Sequence, residues 1–199
     1  GALLMKRTLG FVLAAGLALL PLAGCKFIGH PDYQLVVTVE AGVNGSPAGG
    51  VYAYKELEEV AYNYVAEDSR NTVEVLVDEE AEAAADSLII YHDTALVARL
   101  FDPRGPWAIT ALDANSAETK FTVLLEGSGL LEGTFRDDRG HFGTWLANGG
   151  SLAILFSDLA GHKFIGTIPA MSGTWTWDNG TSQRSWSAVR INYENFRWK

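Results

Sequence analysis

The sequence predicts an all-β protein: a small β module followed by an eight-stranded antiparallel up-and-down barrel. Three observations lead there. After residue 30 no stretch sustains a helical period, and short runs rich in Val, Ile, Thr and aromatic residues are cut by turn residues instead. The strand candidates of the second half are evenly spaced with short turns between them, as in a meander that closes on itself. A Gly-Thr-bulky triplet recurs there at Gly133-Thr-Phe135, Gly143-Thr-Trp145, Gly166-Thr-Ile168 and Gly173-Thr-Trp175.

At the N-terminus, residues 1–4 precede Met5, the expected initiator. Met5-Lys6-Arg7 is a short cationic segment, and Leu9–Leu20 is an uncharged apolar run, short for a membrane span and suited to a cleavable export signal. Leu22-Ala23-Gly24-Cys25 follows, and it resembles the lipobox of bacterial lipoproteins. That resemblance implies a signal peptide over 1–24 and a diacylglyceryl thioether, often with a third acyl chain, on Cys25. Several chains hold far more firmly than one, since each buried methylene contributes about 0.8 kcal/mol. The implied location is the bacterial cell envelope; Lys26 after the cysteine fits the outer membrane of a Gram-negative cell. Residues 25–32 read as a lipidated linker.

The strands of the first module, residues 33–101, are expected at Tyr33–Glu40, Val51–Tyr54, Val60–Ala66, Thr72–Asp78, Ser87–Tyr91 and Ala95–Phe101. Asn44-Gly45 and Pro47 supply turn chemistry after the first. The segment resembles the internalin-type B-repeat, a β-grasp-like module of bacterial surface proteins. The likeness is carried by Leu35-Val-Val-Thr-Val39, Gly42-Val-Asn-Gly-Ser-Pro-Ala48, Val51-Tyr-Ala-Tyr54, Val60-Ala-Tyr-Asn-Tyr64, Val73-Glu-Val-Leu-Val-Asp78 and Asp93-Thr-Ala-Leu-Val97. It implies a spacer or adhesion module with no shared active site. Leu57 and Glu79 stand where such modules carry turn glycines, so those turns are expected to be remodelled. The acidic run Asp78–Asp86 reads as a solvated turn or one short helical turn. It lacks the glycine-punctuated loop that a calcium site would need.

Asp102-Pro-Arg-Gly-Pro106 is a stiff, turn-rich joint and marks the boundary between the two parts. The barrel, residues 102–192, is expected to use Trp107–Leu112, Phe121–Glu126, Leu130–Phe135, His141–Leu146, Leu152–Phe156, Lys163–Ile168, Met171–Trp177 and Trp186–Ile191. A sandwich of two four-stranded sheets is the alternative arrangement of the same strands. In each triplet the glycine and the bulky residue share a face while threonine takes the other, so glycine makes room, a neighbouring ring fills it, and threonine faces out. The segment resembles calycin-like barrels of the broad lipocalin and avidin type through Gly105-Pro-Trp107, their G-x-W, and Arg190 in Trp186-Ser-Ala-Val-Arg190. The resemblance implies that Arg190 packs across Trp107 and closes the barrel. Residues 193–199 form a C-terminal tail.

Phe121, Phe135, Trp145, Phe156, Phe164, Trp175, Trp177 and Trp186 share the inner face, enough rings for a packed core rather than a cavity. Trp177 lies nearest a turn and is the best placed for a ligand rim. Composition excludes some functions. The chain carries a net −9, and loss of residues 1–24 removes only Lys6 and Arg7, leaving 13 basic against 24 acidic residues, or −11. Such a body repels phosphate backbones and is no nucleic-acid binder.

The single cysteine forms no internal disulfide. His30, His92, His141 and His162 have no metal-ligand spacing, and no nucleophile elbow, phosphate loop, dinucleotide fingerprint or C-x-x-C occurs; no cofactor or metal is implied. Glu126, Glu132, Asp137 and Asp138 cluster along neighbouring strands and could in principle supply a carboxylate pair for glycoside hydrolysis, although acidic residues at hairpin turns are usually solvated. The sequence therefore reads as a non-enzymatic, lipid-anchored envelope protein acting as a binding or structural module, with a protein or polysaccharide as partner. Alternatives are a carrier of a small apolar ligand inside the barrel, and a surface hydrolase using the barrel carboxylates.

Overall fold

The computed structural model describes residues 32–112, 115–177 and 182–196. Cys25, His30 and the residues expected to form an export signal lie outside them. Eight strands build the first module: β1 (Asp32–Val39), β2 (Val43–Ser46), β3 (Gly50–Lys55), β4 (Glu59–Ala66), β5 (Val73–Val77), β6 (Glu80–Glu82), β7 (Ala85–Ile89) and β8 (Thr94–Leu100). Eight more follow: β9 (Gly105–Leu112), β10 (Glu118–Glu126), β11 (Glu132–Asp137), β12 (Phe142–Asn148), β13 (Ser151–Phe156), β14 (Lys163–Thr167), β15 (Ser172–Trp177) and β16 (Ser182–Arg190), then a short 3-10 turn at Tyr193–Asn195.

The second set closes into a barrel in which every strand pairs antiparallel with its chain neighbours and β16 returns to β9. The two-sheet alternative is not formed. The first set makes a five-stranded sheet, order β3-β1-β8-β5-β6, and a three-stranded sheet, order β2-β4-β7. Alternate residues of these strands point to a shared interior: Leu35, Val37, Val60, Tyr62, Tyr64, Val75, Leu96 and Ala98 are all buried in one cluster. The aromatic alternation in Val60–Tyr64 is therefore a half-buried strand, as its period of two requires.

Three local readings of the sequence are corrected. Asn44-Gly45 is no turn but the middle of β2, because Gly45 passes so close to β4 that a Cβ there would stand 2.2 Å from the Asn63 carbonyl oxygen. The acidic run contains no helical turn: Asp78-Glu79 is a two-residue hairpin turn, and Glu80–Glu82 forms an edge strand on β5. Third, the turns at Leu57 and Glu79 keep a left-handed backbone, with φ of 68° and 72°, although neither residue is glycine. Each such residue costs on the order of 1–2 kcal/mol. Anchoring bonds offset this: Leu57 N–H donates to Ile90 O at 2.8 Å, and Asp78 both donates to Ala95 O (2.9 Å) and accepts Ala95 N–H on Oδ1 (2.8 Å).

The Gly-Thr triplets work across strands. Gly133 pairs with Trp145 and Gly143 with Phe135, so each glycine of β11 and β12 receives the ring of the other strand. A Cβ on Gly133 would stand 1.8 Å from the Glu126 carbonyl oxygen and 2.6 Å from Trp145 Nε1, and one on Gly143 would stand 1.9 Å from the Leu155 carbonyl oxygen. Gly173 likewise faces Trp186. The indole nitrogens are satisfied there: Trp145 Nε1–H donates to Glu126 O at 2.9 Å and Trp186 Nε1–H to Ile165 O at 3.2 Å. Thr134, Thr144 and Thr167 face outward. The interior is a single cluster that includes Trp107, Phe121, Phe135, Trp145, Phe164 and Trp186.

Candidate functional site

The joint between the two cores is held from both sides. Arg190 is the cross-strand partner of Trp107, and its guanidinium carbon lies 4.5 Å from the indole centroid. Its Nη1 donates to the Arg104 carbonyl at 2.8 Å and its Nη2 to the Asp102 carbonyl. Trp107 Nε1–H donates to Pro103 O at 2.8 Å. Thus three successive joint carbonyls are bonded by the first and last barrel strands. Burial pushes the Asp102 carboxyl up, but the two side-chain bonds from Arg104, at 2.9 and 2.7 Å, and the Arg104 and Arg190 charges hold it below its ordinary range. Phe101, the last residue before the joint, packs into the barrel core with its ring centroid 6.1 Å from that of Trp107.

A second contact ties the module to the β12–β13 turn. Gly149 N–H donates to Arg70 O and Gly150 N–H to the Thr72 hydroxyl, both at 2.8 Å.

The far end of the barrel gathers polar and aromatic side chains. Trp177 ends β15, and its ring is 9% exposed, tilted against Trp175 at 4.8 Å with the Arg184 guanidinium 6.0 Å from its centroid. Trp175 in turn stacks on Phe164 at 5.3 Å and donates its Nε1–H to Leu112 O at 2.7 Å. Trp177 therefore sits inside an indole stack rather than standing out as a platform. His141 and His162 flank Phe156 edge-on, each 6.1 Å from it. His141 Nδ1 meets Asp158 at 2.7 Å, whereas His92 is at the module's far end beside Asp78, 3.8 Å away. Burial raises the Asp158 carboxyl, and the His141 and Phe142 N–H bonds more than reverse it, leaving the group below its ordinary range.

The four barrel carboxylates do not converge. Glu126 and Glu132 are exposed near one end of the barrel, and Glu126 pairs with Arg136 at 3.2 Å. Asp137 points inward near the other end, where Arg139 holds it at 2.7 Å and lays its guanidinium 3.7 Å over Phe121. Asp138 has one buried oxygen without a partner. Among the described residues no three His, Cys, Asp or Glu side chains gather to hold a metal.

Sequence reasoning overlooked the His141–Asp158 pair, though a signal existed. Counting outward from the two-residue Gly149-Gly150 turn sets Gly143 against Phe156 and, two steps on, 141 against 158. No family model, curated protein or solved structure matches the chain.

Proposed function

We propose that this chain is a non-enzymatic, lipid-anchored cell-envelope protein in which the first module spaces the barrel from the membrane and the barrel serves as a binding or structural unit. The observation that carries the reading is the parallel pairing of β1 with β8, Leu35 against Thr94 through Val39 against Ala98. Because the two strands run together, the chain enters the module at the end opposite to the one from which β8 leaves for the barrel. Seven residues of β8, at about 3.3 Å each, put roughly 20 Å between the end of the module where β1 begins and the end where β8 leaves for the barrel. A module whose entry and exit lay at one end would not act as a spacer.

The rings occupying the lumen favour an outward-working unit over the carrier reading. The separation of Glu126 and Glu132 from Asp137 gives no support to a carboxylate-pair hydrolase. The lipobox-like Leu22-Ala23-Gly24-Cys25 supplies the anchor. Radiolabelled palmitate fed to cells expressing the full chain tests it. Label in the wild type and none in Cys25→Ala is the expected result, and label in both contradicts the anchor.

A further inference from the structure

A groove of about 640 Å³ opens where the module meets the barrel. It exists because the chain between β6 and β7 crosses from one sheet to the other at Ala83-Ala84. The hydrogen-bond parity of the neighbouring strands can be followed to the point where that crossing leaves them. On β4, Glu67 N–H bonds Gly42 O on the β2 side, and Tyr64 N–H bonds Ala84 O on the β7 side. Residues alternate in this respect, so Ala66 directs its N–H and C=O to the β7 side, where the ladder has ended at Asn63 against Ala85. On β5, Thr72 O takes Phe101 N–H on the β8 side, so Val73 directs its N–H and C=O to the β6 side. There the ladder has ended at Val75 against Glu82. The two strands thus present unpaired main-chain donors and acceptors to one groove, and Val73 is only 7% exposed. Buried main-chain groups are rarely left without partners.

The walls admit another backbone. Ala66, Ala81, Ala83 and Ala84 are small, and the barrel closes one side with Gly149-Gly150 and Pro169-Ala170. Asp78-Glu79 is a two-residue hairpin turn, so Val77 and Glu80 form its bonded closing pair and Ala81 turns its own N–H and C=O away from β5. Charge selects among possible backbones. Glu82 lines the groove, and Glu79, Glu80, Glu67 and Asp86 lie on the same segments within a body of net −9, while Arg70 nearby is already paired with Asp68 at 2.7 Å.

We infer that this groove binds an extended, lysine- or arginine-rich segment of a partner protein, which adds its main chain to the free edges of Ala66, Val73 and Ala81. Added strands gain affinity from main-chain hydrogen bonds and specificity from side chains at alternate positions. The inference rests on the binding-module reading above and names its partner class.

The test uses the full-length chain in mild detergent and fluorescence anisotropy with three labelled peptides. They are acetyl-Lys-Val-Lys-Val-Lys-Val-amide, its Glu-for-Lys counterpart, and the Lys peptide N-methylated at alternate residues. The Lys peptide should bind, with affinity falling as salt rises, and the other two should bind at least about tenfold more weakly. Ala170→Trp, an exposed barrel-tip change that fills the groove, should abolish binding while the circular dichroism spectrum is retained, and Glu82→Lys should weaken it about tenfold. No binding of the Lys peptide, equal binding of all three, or binding unaffected by Ala170→Trp overturns the inference. So does self-association of the chain that Ala170→Trp abolishes, since a second copy would then be the occupant. Each of these failures leaves the palmitate result untouched, so loss of the groove and loss of the anchored-module reading are told apart.

Discussion

The module and the barrel hold their strands together by different means, although each has eight strands. The barrel pairs consecutive strands, so all its ladders but one are local, and the return of β16 to β9 leaves it no sheet edge. Its rings seat themselves on glycines of the adjacent strand and tie their indole nitrogens to main-chain carbonyls. The module joins β1 to β8 and β5 to β8 across long stretches of chain, keeps four edge strands, and fills its interior with aliphatic residues and tyrosines. The teaching is that closure and openness divide the labour. The barrel spends its aromatic residues on its own interior, and the unpaired main chain is found where the module's two sheets part.

The comparison breaks most visibly at the barrel glycines. Gly133→Ala places a methyl group against the Glu126 carbonyl and the Trp145 ring, and should cost about 3 kcal/mol or prevent folding. Gly49→Ala in the module, where the nearest atom is 3.7 Å away, should change stability by less than about 1 kcal/mol. Urea unfolding of the pair measures both. Equal costs would remove the claim that glycine in the barrel makes room for rings.

A smaller effect sharpens the description of the joint. In a double-mutant cycle, Trp107→Ala and Arg190→Ala should couple by about 0.5–2 kcal/mol, the range for a cation over an indole face. Additive losses would mean that Arg190 acts only through the carbonyls of Asp102 and Arg104.

The smallest is the acid response of the joint. The Asp102 carboxyl is depressed when folded, so its contribution is complete above the unfolded value of about 3.9 and is lost as pH falls through the lower folded value. Asp102→Asn should therefore be less stable than wild type at neutral pH and converge with it in strong acid. Parallel stability curves down to pH 2 would show that the Arg104 pairing does not bias folding.

The sequence was most legible where pairing is local. All eight barrel strands follow from alternation and hairpin turns, and the triplets identified the inward glycines because period-two geometry leaves no other arrangement. The ring that fills each glycine was harder to read: it comes from the facing strand, which only the register reveals. The module was legible as strands but not as sheets, since nothing in Leu35–Val39 or Thr94–Leu100 records that they lie side by side and parallel. Val43–Ser46 escaped because its glycine serves close approach rather than turning. Glu80–Glu82 escaped because three exposed residues on an edge carry no burial pattern. The groove was invisible for a related reason: its chemistry belongs to main-chain groups, which every sequence has.

The barrel interior is filled by its own side chains, so the binding proposed for this protein lies outside the lumen. Native mass spectrometry of the full-length chain, released from mild detergent, tests it most directly. The expected result is the covalent mass of the protein, identical before and after denaturation, with nothing further bound. A reproducible further adduct that disappears on denaturation, and that persists in Ala170→Trp where the groove is blocked, would place a ligand inside the barrel and contradict it.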